Sequence, residues 1–164
     1  MSNQTQESIT IDAADRRLLA LLQQDCALTN QALAERARLS PATCLRRIRR
    51  LVESGVIERQ VALLSPDALA HATGVGLTAI LEVTLDRQDT AALAAFEAAA
   101  LAERAVQQCY RVSAGPDFVL IAHVADMAAY QNFAQRLLAA QNHVRNVRAF
   151  FSVKRSKFDP ALPV

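Results

Sequence analysis

The sequence predicts an α+β protein in two parts, helical first and sheet-based second. Three observations carry that reading. Up to about residue 64 the apolar residues recur at helical spacing, whereas from Val75 onward short alternating runs take turns with alanine-rich helical ones. The change of rhythm falls at Ser65-Pro66-Asp67, a chain-breaking cluster. Between Arg36 and Arg50 stand six arginines and no acid, a charge of +6 in fifteen residues.

A chain of 164 residues fits one large domain or two small ones. Apolar residues at 52% are ample for a core, and charged residues at 21% are near the soluble average. The formal charge of +2 hides an uneven distribution, with nine Arg against seven acids in residues 1–64 and nine Lys or Arg against nine acids in 65–164. Local basicity of this kind suits a docking patch for a polyanion rather than a generally cationic protein. No apolar run approaches the roughly 18–20 residues of a membrane span. The polar start MSNQTQES does not read as a signal peptide, so a cytoplasmic protein is expected. Cys26, Cys44 and Cys109 are odd in number, far apart and free of any C-x-x-C spacing, which argues against zinc or a disulfide framework. They read as reduced thiols filling small apolar slots. His71, His123 and His143 lack i, i+4 partners, so neither a metal nor another cofactor is expected.

Residues 1–9 are polar and read as disordered. Asp12 caps a predicted helix over Ala13–Gln24, with Asp15 in its first turn and Leu18, Leu19 and Leu22 as its buried stripe. Thr29 opens a second helix over Asn30–Ala37 that buries Leu33 and Ala34. Arg38-Leu39-Ser40 links it to a third, with Ser40 as N-cap and Pro41 in the first turn, where its missing N–H costs nothing. At about 100° per residue, Cys44, Leu45, Ile48, Leu51 and Val52 fall on one side of the third helix. Thr43, Arg46, Arg47 and Arg50 fall on the other, with Arg49 on the flank. Gly55 supplies the stop. Three short helices with a three-residue link before a basic third form a helix-turn-helix pattern. Ile57–Leu63 alternates like a strand and reads as a small wing or hinge. The predicted domains are therefore a winged helix-turn-helix over 10–64 and a second domain over 65–157.

In that second domain Val75–Leu85 alternates as a strand, and Thr90–Ala100 is helical with Leu93 and Phe96 facing inward. Ala105–Val112 and Phe118–Val124 are strands joined by the Gly115-Pro116 turn. Asp126 caps a helix through Met127, Tyr130, Phe133 and Leu137, and Val147–Val153 closes as a strand. The order βαββαβ is the ferredoxin-like arrangement, with both helices on one face of an antiparallel sheet. Its other face is left bare for a partner, most simply another copy of the chain.

A basic helix-turn-helix, a hinge and a βαββαβ module in that order resemble the leucine-responsive regulator (Lrp/AsnC) family of transcription factors over about residues 10–155. The most specific signals are the run Leu39-Ser40-Pro41-Ala42-Thr43-Cys44-Leu45-Arg46-Arg47-Ile48-Arg49-Arg50-Leu51, then Gly55-Val56-Ile57, and later Ala125-Asp126-Met127 with Tyr130. The resemblance implies a dimer joined through the βαββαβ modules, often assembled into tetramers or octamers, that binds double-stranded DNA. It also implies an amino-acid effector held between neighbouring modules. The family's effector positions fall here on the turn Ser113-Ala114-Gly115-Pro116-Asp117, on Met127, and on Phe150 to Ser152. Two positions depart from the family pattern. Arg38 replaces the usual glycine of the helix-turn-helix link, at a cost of up to about 1 kcal/mol if its backbone is left-handed. Ala114 replaces the glycine after Ser113 and reshapes the effector cleft.

The candidate DNA-binding residues are Ser40, Thr43, Arg46, Arg47, Arg49 and Arg50. The alternative is an ordinary solvated helix face. Against it, Arg46 and Arg50 stack at i, i+4, a like-charge pairing costing a few tenths of a kcal/mol, and no acid between Arg36 and Arg50 relieves it. Arginine can donate two hydrogen bonds to guanine, and Thr43 suits a phosphate or a thymine methyl. Arg47→Ala is expected to weaken binding by about 1–3 kcal/mol. The candidate effector residues are Ala114, Gly115, Asp117, Met127, Phe150 and Ser152. Asp117 offers a carboxylate for an ammonium group, against the plainer reading of a surface turn. Met127, Phe150 and Phe151 read as core before pocket, and Lys154, Arg155 and Lys157 as a solvated tail before a second phosphate contact. No catalytic residue is expected. The rival enzyme reading is a siroheme decarboxylase-like subunit built on His71, His123 and His143, and the arginine face argues against it. A co-assembly partner that never touches DNA is disfavoured by the same arginines.

Overall fold

A computed structural model describes residues 9–73, 76–138 and 143–164. The chain forms two compact units, Met1–Leu63 with Phe158–Val164, and Leu64–Lys157. The expectation of disorder over residues 1–9 falls almost wholly outside the described residues, as does Val75.

The first unit holds α1 (Ala13–Gln24), α2 (Asn30–Ala37) and α3 (Pro41–Glu53). Each starts on the cap its sequence supplies. Asp12 accepts from the Ala14 and Asp15 N–H groups in a reciprocal capping box. Thr29 accepts from Ala32, and Ser40 from Thr43 ahead of a first-turn proline. Leu18, Leu33, Ala34, Ala37 and Cys44 make the core, flanked by Leu21, Leu22, Leu28, Leu39 and Ile48. Leu51 is also fully buried. Leu45 and Val52, read as inward-facing, are instead 50% and 49% exposed. The reason is geometric: only the strip Cys44–Ile48–Leu51 of α3 faces the core, and its flank toward α1 is taken by arginines. Gly55 turns the chain out of α3 at φ 75, with the Ile57 N–H donating to the Leu51 carbonyl. The C-terminal segment completes this unit. Gln23 donates to the Leu162 carbonyl at 3.0 Å and accepts from the Leu162 N–H at 2.6 Å.

Two expectations between the units are corrected. Residues 57–63 form no strand, and Val61, Leu63 and Leu64 are exposed. A strand needs a neighbour for its N–H and C=O groups, and this segment has no ladder partner among the described residues. Ser65-Pro66-Asp67 starts a helix rather than merely breaking the chain. Helix α4 (Pro66–Thr73) begins with the Ser65 hydroxyl accepting from the Ala68 N–H at 3.2 Å and proline in the first turn.

The second unit holds β1 (Leu77–Leu85), α5 (Thr90–Ala102), β2 (Val106–Arg111), β3 (Phe118–Val124), α6 (Met127–Leu137) and β4 (Val144–Phe151). The sheet order is β2-β3-β1-β4 with every pairing antiparallel. This is the ferredoxin-like arrangement the alternation predicts. The last strand starts earlier than Val147 and ends before Val153, because its ladder with β1 runs from Leu85↔Val144 to Ala79↔Phe151. Ala79, Leu81, Val83 and Leu85 of β1 join Phe118, Leu120 and Ala122 of β3 beneath Phe96, Phe133 and Leu137. By register and alternation, the other face carries Ile80, Glu82, Gln108, Tyr110, Val119, Ile121, Arg148 and Phe150. Ile80, Tyr110 and Phe150 are exposed there.

Candidate nucleic-acid interface

Helix α3 presents its polar residues in two unlike groups. Arg46 and Arg49 are exposed, and neither has an ion pair among the described residues. Arg47 and Arg50 turn back onto α1. The Arg47 Nη1 lies 2.8 Å from Asp12 Oδ2 and 2.8 Å from Asp15 Oδ1, and its side chain is 20% exposed. Arg50 Nη2 donates to Asp15 Oδ2, which also accepts from the Asp12 N–H at 3.1 Å. The outward face read from the helical projection is therefore split. The acids that relieve the arginine stacking come from another helix, 32 and 35 residues away in sequence.

Asp15 is fully buried. Burial pushes its carboxyl up, but the hydrogen bonds from Arg47, the Asp12 N–H and Arg50 outweigh it and hold it below the usual range. The Asp15 N–H, then Arg47, lower Asp12 from 3.8 to about 2. Arg47 in turn is raised, first by Asp12 and then by Asp15. The only sequence signal for this cluster was the acid pair Asp12 and Asp15, which also reads as a helix cap with first-turn charge.

Ser40 accepts from the Thr43 N–H at 3.2 Å and donates to Thr43 Oγ1 at 2.8 Å, so its hydroxyl is committed to starting α3. Thr43 is half-buried. Asn30, which sequence reasoning passed over, ties α2 to the start of α3 through its Nδ2 and the Pro41 carbonyl at 3.0 Å. Arg36 and Arg38 are also exposed and extend the basic surface around the link.

The effector positions are not gathered within one chain. Ala114 and Gly115 are exposed at the β2–β3 turn, where Gly115 takes φ 86. Asp117 is more than a surface turn residue: its Oδ2 accepts from the Leu85 N–H at 2.8 Å and its own N–H donates to the Val83 carbonyl at 2.9 Å. It carries the pairing one step past the end of the β1–β3 ladder. Met127 and Ser152 sit at the opposite end of the sheet, where Gly76 donates to the Ala125 carbonyl and Ser152 to that of Thr78. The seven residues of β3 lie between, roughly 20 Å at about 3.4 Å per step. Met127, Phe150 and Phe151 are exposed rather than core. Phe151 packs edge-on against Tyr130 at 4.9 Å, and the Arg148 guanidinium lies 5.4 Å from the Phe150 ring centre.

The histidines are likewise dispersed. His123 Nδ1 bonds Thr78 Oγ1 at 3.1 Å, His143 lies 3.7 Å from Asp86, and His71 is exposed on α4. A groove between the end of α5 and α6, lined by Glu103, Arg104, His123 and Asn132, contains none of the effector positions. Arg136, on its rim, is held by both oxygens of Glu103.

Residues 11–58 match the family model for a winged helix-turn-helix DNA-binding domain, and residues 78–162 that for the Lrp/AsnC ligand binding domain. An HTH-type transcriptional regulator of Haemophilus influenzae is 35% identical over 93% of this chain and 89% of its own length. The leucine-responsive regulatory protein of Rhizobium meliloti is 37% identical, covering 91% of this chain and 93% of its own. A transcriptional regulator of Neisseria meningitidis, solved as a complex with L-Met, superposes with a TM-score of 0.81 at 32% identity, covering 94% of this chain and 97% of its own. Each of these relatives bears the name of a regulator. The chain belongs to the Lrp/AsnC family of DNA-binding transcriptional regulators.

Proposed function

We propose that this regulator reads specific DNA sequences through the exposed edge of α3, with Arg46 and Arg49 as the principal contacts and Thr43 beside them. The observation that carries this is the division of the four arginines: among the described residues Arg46 and Arg49 have no acid partner, whereas Arg47 and Arg50 do. A guanidinium without a partner is free to meet guanine O6 and N7 or a phosphate. Ser40 contributes by starting the helix. The chain acts as a homo-oligomer in the cytoplasm and needs no cofactor.

An amino acid is the proposed effector, bound between βαββαβ modules. Two observations support this. The Neisseria relative holds L-Met, and the candidate positions lie at opposite ends of one module, so that a single site needs Ala114, Gly115 and Asp117 from one copy and Met127, Phe150 and Ser152 from another. The bare sheet face with Ile80, Tyr110 and Phe150 is the proposed surface for assembly.

The test selects duplexes from a random-sequence pool and titrates the enriched one against wild type, Arg46→Ala and Arg49→Ala over a salt series. Each substitution is expected to cost about 1–3 kcal/mol at a base contact, or to lower the salt slope by about one at a phosphate. Unchanged affinity and slope in both variants would reject the assignment. Calorimetry with the free amino acids tests the effector, and absence of heat from all of them would remove it.

A further inference from the structure

We infer that Asp12, Asp15, Arg47 and Arg50 form a clasp between α1 and α3 that sets the roll of α3, making Arg47 and Arg50 positioning residues of the DNA interface rather than contacts. The inference rests on the DNA-binding reading above. The apolar seam of α3, Cys44, Ile48 and Leu51, is a single narrow strip. A strip of that kind holds a helix against its neighbours but resists rolling poorly. The clasp grips the flank of that strip at two residues three apart, about one turn of helix, and both grips end on the first turn of α1. Roll is thereby fixed, and it decides which residues point outward. Arg46 and Arg49 precede Arg47 and Arg50 by one residue each, so both free arginines are turned the same way, about 100° from the clasp.

Three further observations keep Arg47 and Arg50 on α1. The Asp15 carboxylate is fully buried and accepts from Arg47, Arg50 and the Asp12 N–H. Withdrawing either arginine toward a phosphate would take a charged partner from that buried carboxylate. The Nε atoms of both arginines are enclosed and have no partner among the described residues, so those edges are closed to a groove. Asp12 is already fixed as the N-cap of α1, so the anchor that Arg47 holds cannot swing outward with it.

The experiment compares wild type, Arg46→Ala, Arg47→Gln, Asp12→Asn and the Asp12→Asn/Arg47→Gln double variant. Asparagine caps a helix as well as aspartate does, so Asp12→Asn loosens the clasp and spares the cap. Each protein is titrated with the pool-selected duplex and a scrambled duplex of equal length over a salt series, at concentrations corrected for the folded fraction by circular dichroism. Arg47→Gln and Asp12→Asn are each expected to lose about tenfold affinity for the selected duplex, the size of one mismatched base pair. Both keep the scrambled-duplex affinity and the salt slope of wild type. The double variant is no worse than Arg47→Gln alone, since both changes break one interaction. Arg46→Ala, by contrast, weakens both duplexes or lowers the slope. A salt slope reduced by Arg47→Gln, with both duplexes weakened alike, would make Arg47 a contact and overturn the inference. So would an Asp12→Asn variant with unchanged selected-duplex affinity. If Arg47→Gln does not fold, Arg50→Gln, whose ion pair is with Asp15, gives the same readout. Failure of wild type to retain any duplex from the pool refutes the DNA-binding reading itself, and is seen before any variant is made.

Discussion

Asp12 and Asp15 show how much of the DNA-binding unit hangs on two carboxylates. Both are held below the usual range, Asp12 by the Asp15 N–H and Arg47, and Asp15 by Arg47, the Asp12 N–H and Arg50 against the opposing effect of burial. A carboxyl lowered by folding contributes stability that is complete above its unfolded value and lost as pH falls through the folded one. For Asp12 that window runs from 3.8 down to about 2, and Asp15 adds in the same direction. The expected outcome is a helical unit that loses stability on acidification from pH 4 toward pH 2, with Arg47→Gln flattening the loss. Urea denaturation followed by circular dichroism between pH 5 and 2 measures it. Equal pH dependence in the two proteins would mean that the ion pairs contribute nothing.

At the scale of elements, the α2–α3 link carries a built-in strain. Arg38 ends α2 in the left-handed region at φ 57, ψ 50, its N–H bonded to the Ala34 and Glu35 carbonyls. A side chain there costs about 1 kcal/mol relative to glycine, as the departure from the family pattern at this position anticipates. Arg38 also leaves a cation exposed next to the start of α3. Arg38→Gly is expected to raise the urea midpoint, by up to about 1 kcal/mol in stability, while weakening binding to DNA through the lost charge. A variant that is neither more stable nor weaker on DNA would show that the residue is neutral on both counts. The same unit also relies on an element outside the helices, the C-terminal segment whose Leu162 is paired with the Gln23 side chain. Gln23 gives no sequence signal for that role, because its partner is 139 residues away.

For the whole molecule, the sheet module supplies the proposed route to assembly. Ile80 is exposed in the central strand β1 on the face turned away from α5 and α6, with Phe150 on the neighbouring β4 and Tyr110 on β2, beyond β3. Ile80→Arg places a charge in that apolar patch, where burial without a partner is costly, and leaves the helix-side core untouched. The expected outcome is a shift toward monomer in sedimentation equilibrium with an unchanged far-ultraviolet spectrum. An unchanged assembly state would move the interface elsewhere.

What was legible in the sequence was what neighbours along the chain decide. Asp12, Thr29, Ser40 and Asp126 cap the helices they precede because a cap acts within three residues. The strands follow the alternation of Leu77, Ala79, Leu81 and Val83 and of Phe118, Leu120 and Ala122, since the period of two is a property of the extended backbone. The order βαββαβ then left few topologies. Tertiary structure decided everything that depends on a distant partner. Residues 57–63 alternate yet form no strand without a neighbouring ladder, and Asp117 turns one carboxylate oxygen to the Leu85 N–H. A helical projection puts Arg47 and Arg50 on the same side as Arg46, with Arg49 on the flank, and so does not single them out. The docking of α1 gives two of the four a carboxylate within hydrogen-bond reach, and the energy of a buried charge depends on that proximity in space and not on spacing along the chain.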